Sequence, residues 1–265
     1  MILGHFTAPL FVPGNRPERF MKAAASGADA VIVDLEDAVA PDAKETARAA
    51  LDVSFTDRPV FLRINGEGTP WHADDLKAAA TLPLGGIIVP KAELGGDLAA
   101  LAAISHVPVM ALIETARGLA EARQIASLAG VERLIFGSVD FCADLGCAHT
   151  REALLCARSE LVLASRLAGL AAPVDGVTTV IEDAELVTTD ARHACDLGFG
   201  GKLAIHPKQV GPILAGFRPV AREIDWANKV LVSGDGAVSV DGAMVDEPVR
   251  IRARAILARA ARQTT

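Results

Sequence analysis

Eight short runs rich in β-branched and aliphatic residues recur along the chain, at 9–13, 30–35, 60–65, 86–90, 108–113, 133–137, 173–177 and 202–206. In cores such as VIVDL, GIIVP and VMALI the apolar positions are continuous rather than alternating, as in parallel strands covered on both faces. Between them lie Ala-, Leu- and charge-rich stretches with helical spacing, over 17–26, 41–51, 71–81, 116–126, 151–168 and 181–197. Strand and helix therefore alternate, which predicts an α/β fold, either a closed barrel or an open doubly wound sheet.

Two features separate these folds. Neither GxGxxG nor GxxxxGK[ST] follows an early strand, so the usual nucleotide fingerprints of an open sheet are missing from the sequence. Polar residues follow nearly every strand run: Asn15, Glu36, Asp37, Arg63, Asn65, Lys91, Glu114, Asp140, Asp175 and His206. A (β/α)8 TIM barrel builds its site at the C-terminal ends of all its strands, whereas an open sheet concentrates one at its switch point. The expectation is a TIM-barrel catalytic domain over residues 1–219. Helices near 207–214 and 221–232, the Gly-containing VSGDGAVSVDG and a helix from about Glu247 exceed what barrel closure needs. Residues 220–265 are expected to form a C-terminal helical extension acting as a lid or an oligomerisation element.

Composition narrows the class. The 265 residues are 51% hydrophobic and 22% charged, enough for one large core. A net charge of -7 argues against duplex nucleic acid, which demands clustered Lys and Arg. No apolar run approaches the ~18 residues needed to span a bilayer, and MILGHFTAPLFVPG lacks the basic start of a signal peptide. The expectation is a cytoplasmic protein without nucleic-acid or membrane partners. Cys142, Cys147, Cys156 and Cys195 contain no CxxC pair and read as reduced thiols rather than a zinc or disulfide framework.

Glu114, after VMALI, and Asp140, in LIFGSVD, place carboxylates at adjacent strand ends. Two such groups, completed by water and substrate oxygens, suit Mg²⁺; the bland alternative is a helix cap at Thr115 and an ion pair. Arg63 in FLRIN presents a planar guanidinium that fits a carboxylate or an enolate oxygen, or else makes a structural salt bridge to Glu36 or Asp37. Asp34, Glu36 and Asp37 crowd the second strand's end, with Lys91, Arg63 and Arg16 as candidate cations, and Asp34 reads as a lattice member. Gly14 and Asn15 could offer amides to an anion, and His206 reads as structural.

The stretches LFVPGNRPERFMKAA, GADAVIVDLEDAVAPDAKETAR, LRIN, VPKAE, ALIETARG, FGSVDFCADLG, AIHPKQ and GAVSVDGAMVDEPV, running from residue 10 to 248, resemble the HpcH/HpaI aldolase and citrate lyase β-subunit superfamily, in its CitE-like branch. The resemblance implies Mg²⁺-dependent carbon–carbon lyase chemistry on 3-hydroxyacyl thioesters of CoA or acyl-carrier protein, such as citryl-, malyl- or citramalyl-CoA. It makes Glu114 and Asp140 the metal ligands, Arg63 the group facing a 2-oxoacid or enolate, and Asp246 the acid/base carboxylate. Glu36, Asp37, Lys91, Asn15 and Arg16 are the expected substrate contacts. The long C-terminal extension, for its part, leads to the expectation of a homo-oligomer, a trimer or dimer of trimers. Metal aldolases of free hydroxy-oxo acids carry a GEHA-like motif after the second strand; this chain reads LEDA there. A β subunit working in a citrate lyase complex and a non-catalytic barrel are the remaining readings.

Overall fold

The computed structural model describes residues 6–104, 107–234 and 236–262. Eight parallel strands pair in sequence order: β1 (Pro9–Pro13), β2 (Ala30–Asp34), β3 (Val60–Arg63), β4 (Gly86–Val89), β5 (Val109–Ile113), β6 (Val131–Phe136), β7 (Val174–Asp175) and β8 (Gly201–Lys202). The sheet closes on itself. Lys202 N–H donates to Thr7 O at 2.8 Å, Ala204 N–H to Pro9 O at 2.9 Å, and Phe11 N–H to Ala204 O at 2.9 Å. With the helices between the strands this is a (β/α)8 barrel.

The closure follows from one set of side chains. Ala30, Ile32, Phe61, Ile88, Met110, Leu112, Ile135, Val174 and Leu203 form a single buried cluster drawn from seven neighbouring strand segments. Gly86 admits Phe61 there, since a Cβ at residue 86 would come within 3.0 Å of that ring and 2.8 Å of Pro108 O.

Several expected elements are shorter in the structure. The seventh and eighth strands shrink to two residues each. The helix expected over 116–126 divides at Glu121 into Ala116–Ala120 and Ala122–Ala126; Glu121 turns its carboxylate to the Leu94 N–H at 2.7 Å. Helices Leu98–Ile104 and Ser138–Leu145 carry no clear sequence signal. LAALAAI is too uniformly apolar to show a 3.6-residue contrast, and FGSVDF runs on from a strand. Among the described residues no helix is long and apolar enough to cross a membrane.

The chain divides into two compact units, Met1–Gly216 and Phe217–Thr265. The second contains helices Ala221–Val232 and Glu247–Arg262 and an antiparallel hairpin of β9 (Val238–Val240) and β10 (Ala243–Val245). Asp241 and Gly242 make its turn with φ of 50° and 80°, the left-handed pair that an Asp-Gly hairpin requires. Ala227, Val230, Val245, Ala253 and Ile256 form its buried core.

Candidate active site

Strand periodicity delivers the site. Ile32, Phe61 and Leu112 face the barrel core, and two residues further along each segment stand Asp34, Arg63 and Glu114. Side chains alternate along a strand, so the parity that packs the core also aims these three charges at its mouth. With Asp37, Ser138 and Asp140 they line a cavity of about 360 Å³.

Arg63 is held from three directions. Its Nε and Nη2 donate to the two carboxylate oxygens of Asp34, both at 2.7 Å, and its Nη1 lies 2.9 Å from Glu36 Oε2 and 3.8 Å from Asp37 Oδ2. The guanidinium also lies over Phe11, 4.9 Å from the ring centre. Burial opposes its charge, but Asp34, Glu36 and Asp37 outweigh burial and raise its pKa. Asp34 is saturated by this fork and by the N–H groups of Glu36 and Ala38 at 2.9 and 3.0 Å. It is the lattice member that its crowding suggested, and it, rather than Glu36 or Asp37, is the main partner of Arg63.

Lys91 crosses the mouth from β4 with its backbone in the left-handed region, φ 48°. Its Nζ donates to Glu36 Oε1 at 3.0 Å, and its backbone N–H donates to Glu114 Oε1 at 2.9 Å. Glu114 is 1% exposed, and its Oε2 has no hydrogen-bond partner. Burial, then Glu36 and Asp140, push the Glu114 carboxyl up to about 8, against the pull of Lys91. Burial likewise raises Glu36. Gly137 makes room for Glu114: a Cβ there would stand 2.3 Å from Oε2. Thr115 caps the following helix through its own Oγ1, which accepts Gly118 N–H at 2.9 Å, so Glu114 is free of that duty. Asp140 occupies the first turn of Ser138–Leu145, half-buried and facing the same cavity.

These carboxylates fit a divalent ion. A buried oxygen without a donor, in a carboxyl whose charge is resisted by two like charges, is the arrangement a cation would relieve. Among the described residues no three His, Cys, Asp or Glu side chains form a cage. Two carboxylates alone suit Mg²⁺, which keeps waters and shares its sphere with substrate oxygens.

The other expected residues fall outside the cavity wall. Asn15 follows β1 with its Oδ1 buried and unpartnered; Arg16 is exposed and pairs with Glu18 at 2.6 Å. His206 Nδ1 accepts the Lys208 N–H at 3.2 Å, a structural turn. Asp175 is structural too, its oxygens taken by Arg158 Nε at 2.8 Å and Lys202 Nζ at 3.1 Å. Asp246 belongs to the second unit, where its carbonyl accepts Arg250 N–H at 3.1 Å and its Oδ1 lies 3.4 Å from Val249 N at the start of the last helix.

Two residues that the sequence did not single out support the site. Lys44 Nζ spends its three protons on Leu35 O and Glu36 O at 2.7 Å each and Asn65 Oδ1 at 2.6 Å, pinning the loop that carries Glu36 and Asp37. Asp75 takes Asn65 N–H at 2.9 Å, Asn65 Nδ2 at 2.6 Å and Arg48 Nε at 2.8 Å. A signal existed for Lys44, since a lysine opening a helix opposes the helix dipole and so points to a tertiary partner.

The model of the HpcH/HpaI aldolase/citrate lyase family matches residues 8–207. A citrate lyase subunit beta-like protein of Deinococcus radiodurans is 38% identical over 94% of this chain and 95% of its own length. A (3S)-malyl-CoA thioesterase of Cereibacter sphaeroides is 35% identical over 96% of this chain and 94% of its own. CitE of Mycobacterium tuberculosis, solved with magnesium, acetoacetate and coenzyme A, superposes with a TM-score of 0.87 at 36% identity, over 98% of this chain and 99% of that one. With its closed barrel, its paired carboxylates and these matches across nearly its whole length, the chain belongs to the HpcH/HpaI aldolase/citrate lyase family.

Proposed function

We propose that this chain is a Mg²⁺-dependent carbon–carbon lyase that interconverts a 3-hydroxyacyl-CoA, of the malyl-, citramalyl- or citryl-CoA class, with a 2-oxoacid and an acyl-CoA. The observation that carries this reading is Glu114 Oε2, buried without a partner in a cavity shared with Asp140 and Arg63. Glu114 and Asp140 would hold the metal. When bound, Mg²⁺ supplies Lewis-acid stabilisation of negative charge on the substrate's carboxylate and hydroxyl or oxo oxygens.

The chain's own groups do the rest. Arg63, immobilised by Asp34, keeps guanidinium protons for the thioester oxygen as it takes up enolate charge. Lys91 and Glu36 fix the charge balance beside it. In cleavage the hydroxyl proton passes to solvent water, the electrons of the carbon–carbon bond pass to the thioester enolate, and the enolate carbon accepts a proton. Asp246 is the proposed donor of that proton in cleavage, and takes it back as base in condensation. Asn15 and Arg16 are proposed contacts to the thioester. Residues 220–265 are proposed as a lid and oligomerisation element of a homotrimer or dimer of trimers, which a monomer in light scattering would refute.

The test is to incubate the purified chain with malyl-, citramalyl- and citryl-CoA, with and without Mg²⁺, and to quantify 2-oxoacid, acyl-CoA and free CoA. Equal amounts of 2-oxoacid and acyl-CoA, made only with metal, support the proposal. Free CoA without 2-oxoacid would replace it with thioester hydrolysis, the activity in the name of the Cereibacter sphaeroides relative. Activity on citryl-acyl-carrier protein alone would make the chain a lyase-complex subunit. Asp246→Asn should slow turnover roughly 10²–10⁴-fold with oxoacid affinity kept; unchanged turnover removes Asp246 from the mechanism.

A further inference from the structure

The four cysteines are not equivalent. The helix Ser138–Leu145 ends at Gly146, whose φ of 71° is left-handed, and Cys147 N–H reaches back to Cys142 O at 3.1 Å. This is the helix-terminating motif that sets the residue two beyond the last helical turn against a residue inside that turn. Here both positions are cysteine. Their sulfurs stand 3.7 Å apart, with the Cys147 thiol donating to Cys142 Sγ and the Cys142 thiol donating to Ala148 O at 3.7 Å. Cys142 is buried and Cys147 half-buried, whereas Cys156 and Cys195 lie on other helices.

We propose that Cys142 and Cys147 are a reversible redox pair, closing to a disulfide under a thiol–disulfide oxidant of the glutathione class. The backbone bond of the cap holds the two residues together, and with their sulfurs already 3.7 Å apart rotation of the two side chains supplies most of the remaining approach to a disulfide. The half-buried Cys147 thiolate attacks the glutathione disulfide first and releases one glutathione. The Cys142 thiol then gives up its proton and attacks the Cys147 sulfur, displacing the second glutathione. Two protein thiols are oxidised, one glutathione disulfide is reduced to two thiols, and the protons balance.

The position gives the bridge a consequence. The same helix carries Asp140 in its first turn, and two residues past Cys147 the segment returns His149 Nε2 to Ser138 Oγ at 2.9 Å. A bridge would tie down the far end of the segment that presents Asp140. The pairing stands whether or not the lyase reading holds.

The full chain is to be equilibrated with oxidised and reduced glutathione, quenched with an alkylating agent and digested with trypsin. Residues 134–151 lie between consecutive arginines and contain Cys142 and Cys147 alone among the cysteines. The expected result is an unalkylated peptide lighter by two hydrogens, restored by reductant, with the bridged-to-reduced ratio roughly tenfold or more above that of the same chain in guanidinium. Cys147→Ser should give no bridge at the same poise and leave thioester turnover unchanged. A wild-type peptide that stays doubly alkylated, or carries only glutathione adducts, would overturn the proposal, as would an equal ratio in the denatured chain.

Discussion

Glu114 and Asp175 are two buried carboxylates at strand ends of one barrel, each 1% exposed, and their surroundings treat them in opposite ways. Asp175 is met by Arg158 and Lys202, and although burial raises its pKa, those two cations outweigh it and hold the carboxyl below its ordinary value. Glu114 meets one backbone N–H and a lysine 3.9 Å away, while burial, Glu36 and Asp140 push it up to about 8. Strand parity explains the difference. Glu114 lies two residues past the core-facing Leu112 and so points into the mouth; Asp175 directly follows the core-facing Val174 and so falls on the other face, where Arg158 of the outer helix Leu155–Leu167 waits. A strand-end carboxylate with every lone pair answered is holding the fold together. One left wanting a cation, as Glu114 is, contributes no such support and leaves an oxygen without a partner.

Isosteric substitution should split the pair. Asp175→Asn leaves two buried cations without a counter-charge and should cost about 3–5 kcal/mol of folding stability, with activity lost alongside. Glu114→Gln keeps an acceptor for Lys91 N–H and removes only the resisted charge. The metal-free variant should therefore melt no lower than wild type at pH 8, while turnover falls on the order of 10³-fold with the metal site. Denaturant melts and steady-state rates on both variants decide the matter. If Glu114→Gln unfolds as readily as Asp175→Asn, Glu114 is a structural charge and the contrast fails.

A smaller effect comes from pH. The folded-state value of Glu114 is about 8 against an ordinary 4.5, so its contribution favours folding below about 4.5 and is lost as pH rises towards 8. The sign for Asp175 is the reverse: its contribution is present above the ordinary carboxylate value and disappears as pH falls through its lowered folded value. Metal-free wild type should thus lose stability across pH 5–8, and Glu114→Gln should flatten that slope. Mg²⁺ requires the ionised form, so binding near pH 7 should release up to about one proton per site. Calorimetry in buffers of different ionisation enthalpy measures it. A metal-binding heat independent of buffer would mean that Glu114 is already ionised or is not a ligand.

The same parity explains what could be read without coordinates. Continuous apolar strand cores, their spacing and the charges following them identify the barrel and place Glu114, Asp140, Arg63, Glu36 and Lys91 at one mouth. The partner of each charge is a different matter, because it depends on side-chain reach across strands distant in sequence: Arg63 to Asp34, Lys91 to Glu36, Arg158 to Asp175. Lys44 illustrates the limit. Its unfavourable place at a helix start hints at a tertiary partner, but nothing local names Leu35 O, Glu36 O and Asn65 Oδ1 as the acceptors. Helix Ser138–Leu145 escaped for a related reason, as Gly137 is the only break between it and β6.

The smallest expected effect lies at Arg16, the exposed counterpart to the locked Arg63. Arg63 has its fork fixed on Asp34 and leaves 11% of its side chain exposed; Arg16 leaves 47% of its side chain exposed and pairs with Glu18, whose side chain is 58% exposed. An exposed ion pair of that kind contributes little to folding, so Arg16→Gln should not move the melting temperature. If Arg16 meets an anionic part of the thioester, the variant should raise KM a few-fold at low salt, leave kcat unchanged, and lose that difference as salt screens the charge. Affinity for the free 2-oxoacid, which reports on the inner site, should stay as in wild type. The informative measurement is KM for the thioester beside the 2-oxoacid Kd, each at two ionic strengths. A KM equal to wild type at low salt would confine Arg16 to its bond with Glu18, and a change in kcat would mean that the rim and the inner site are coupled.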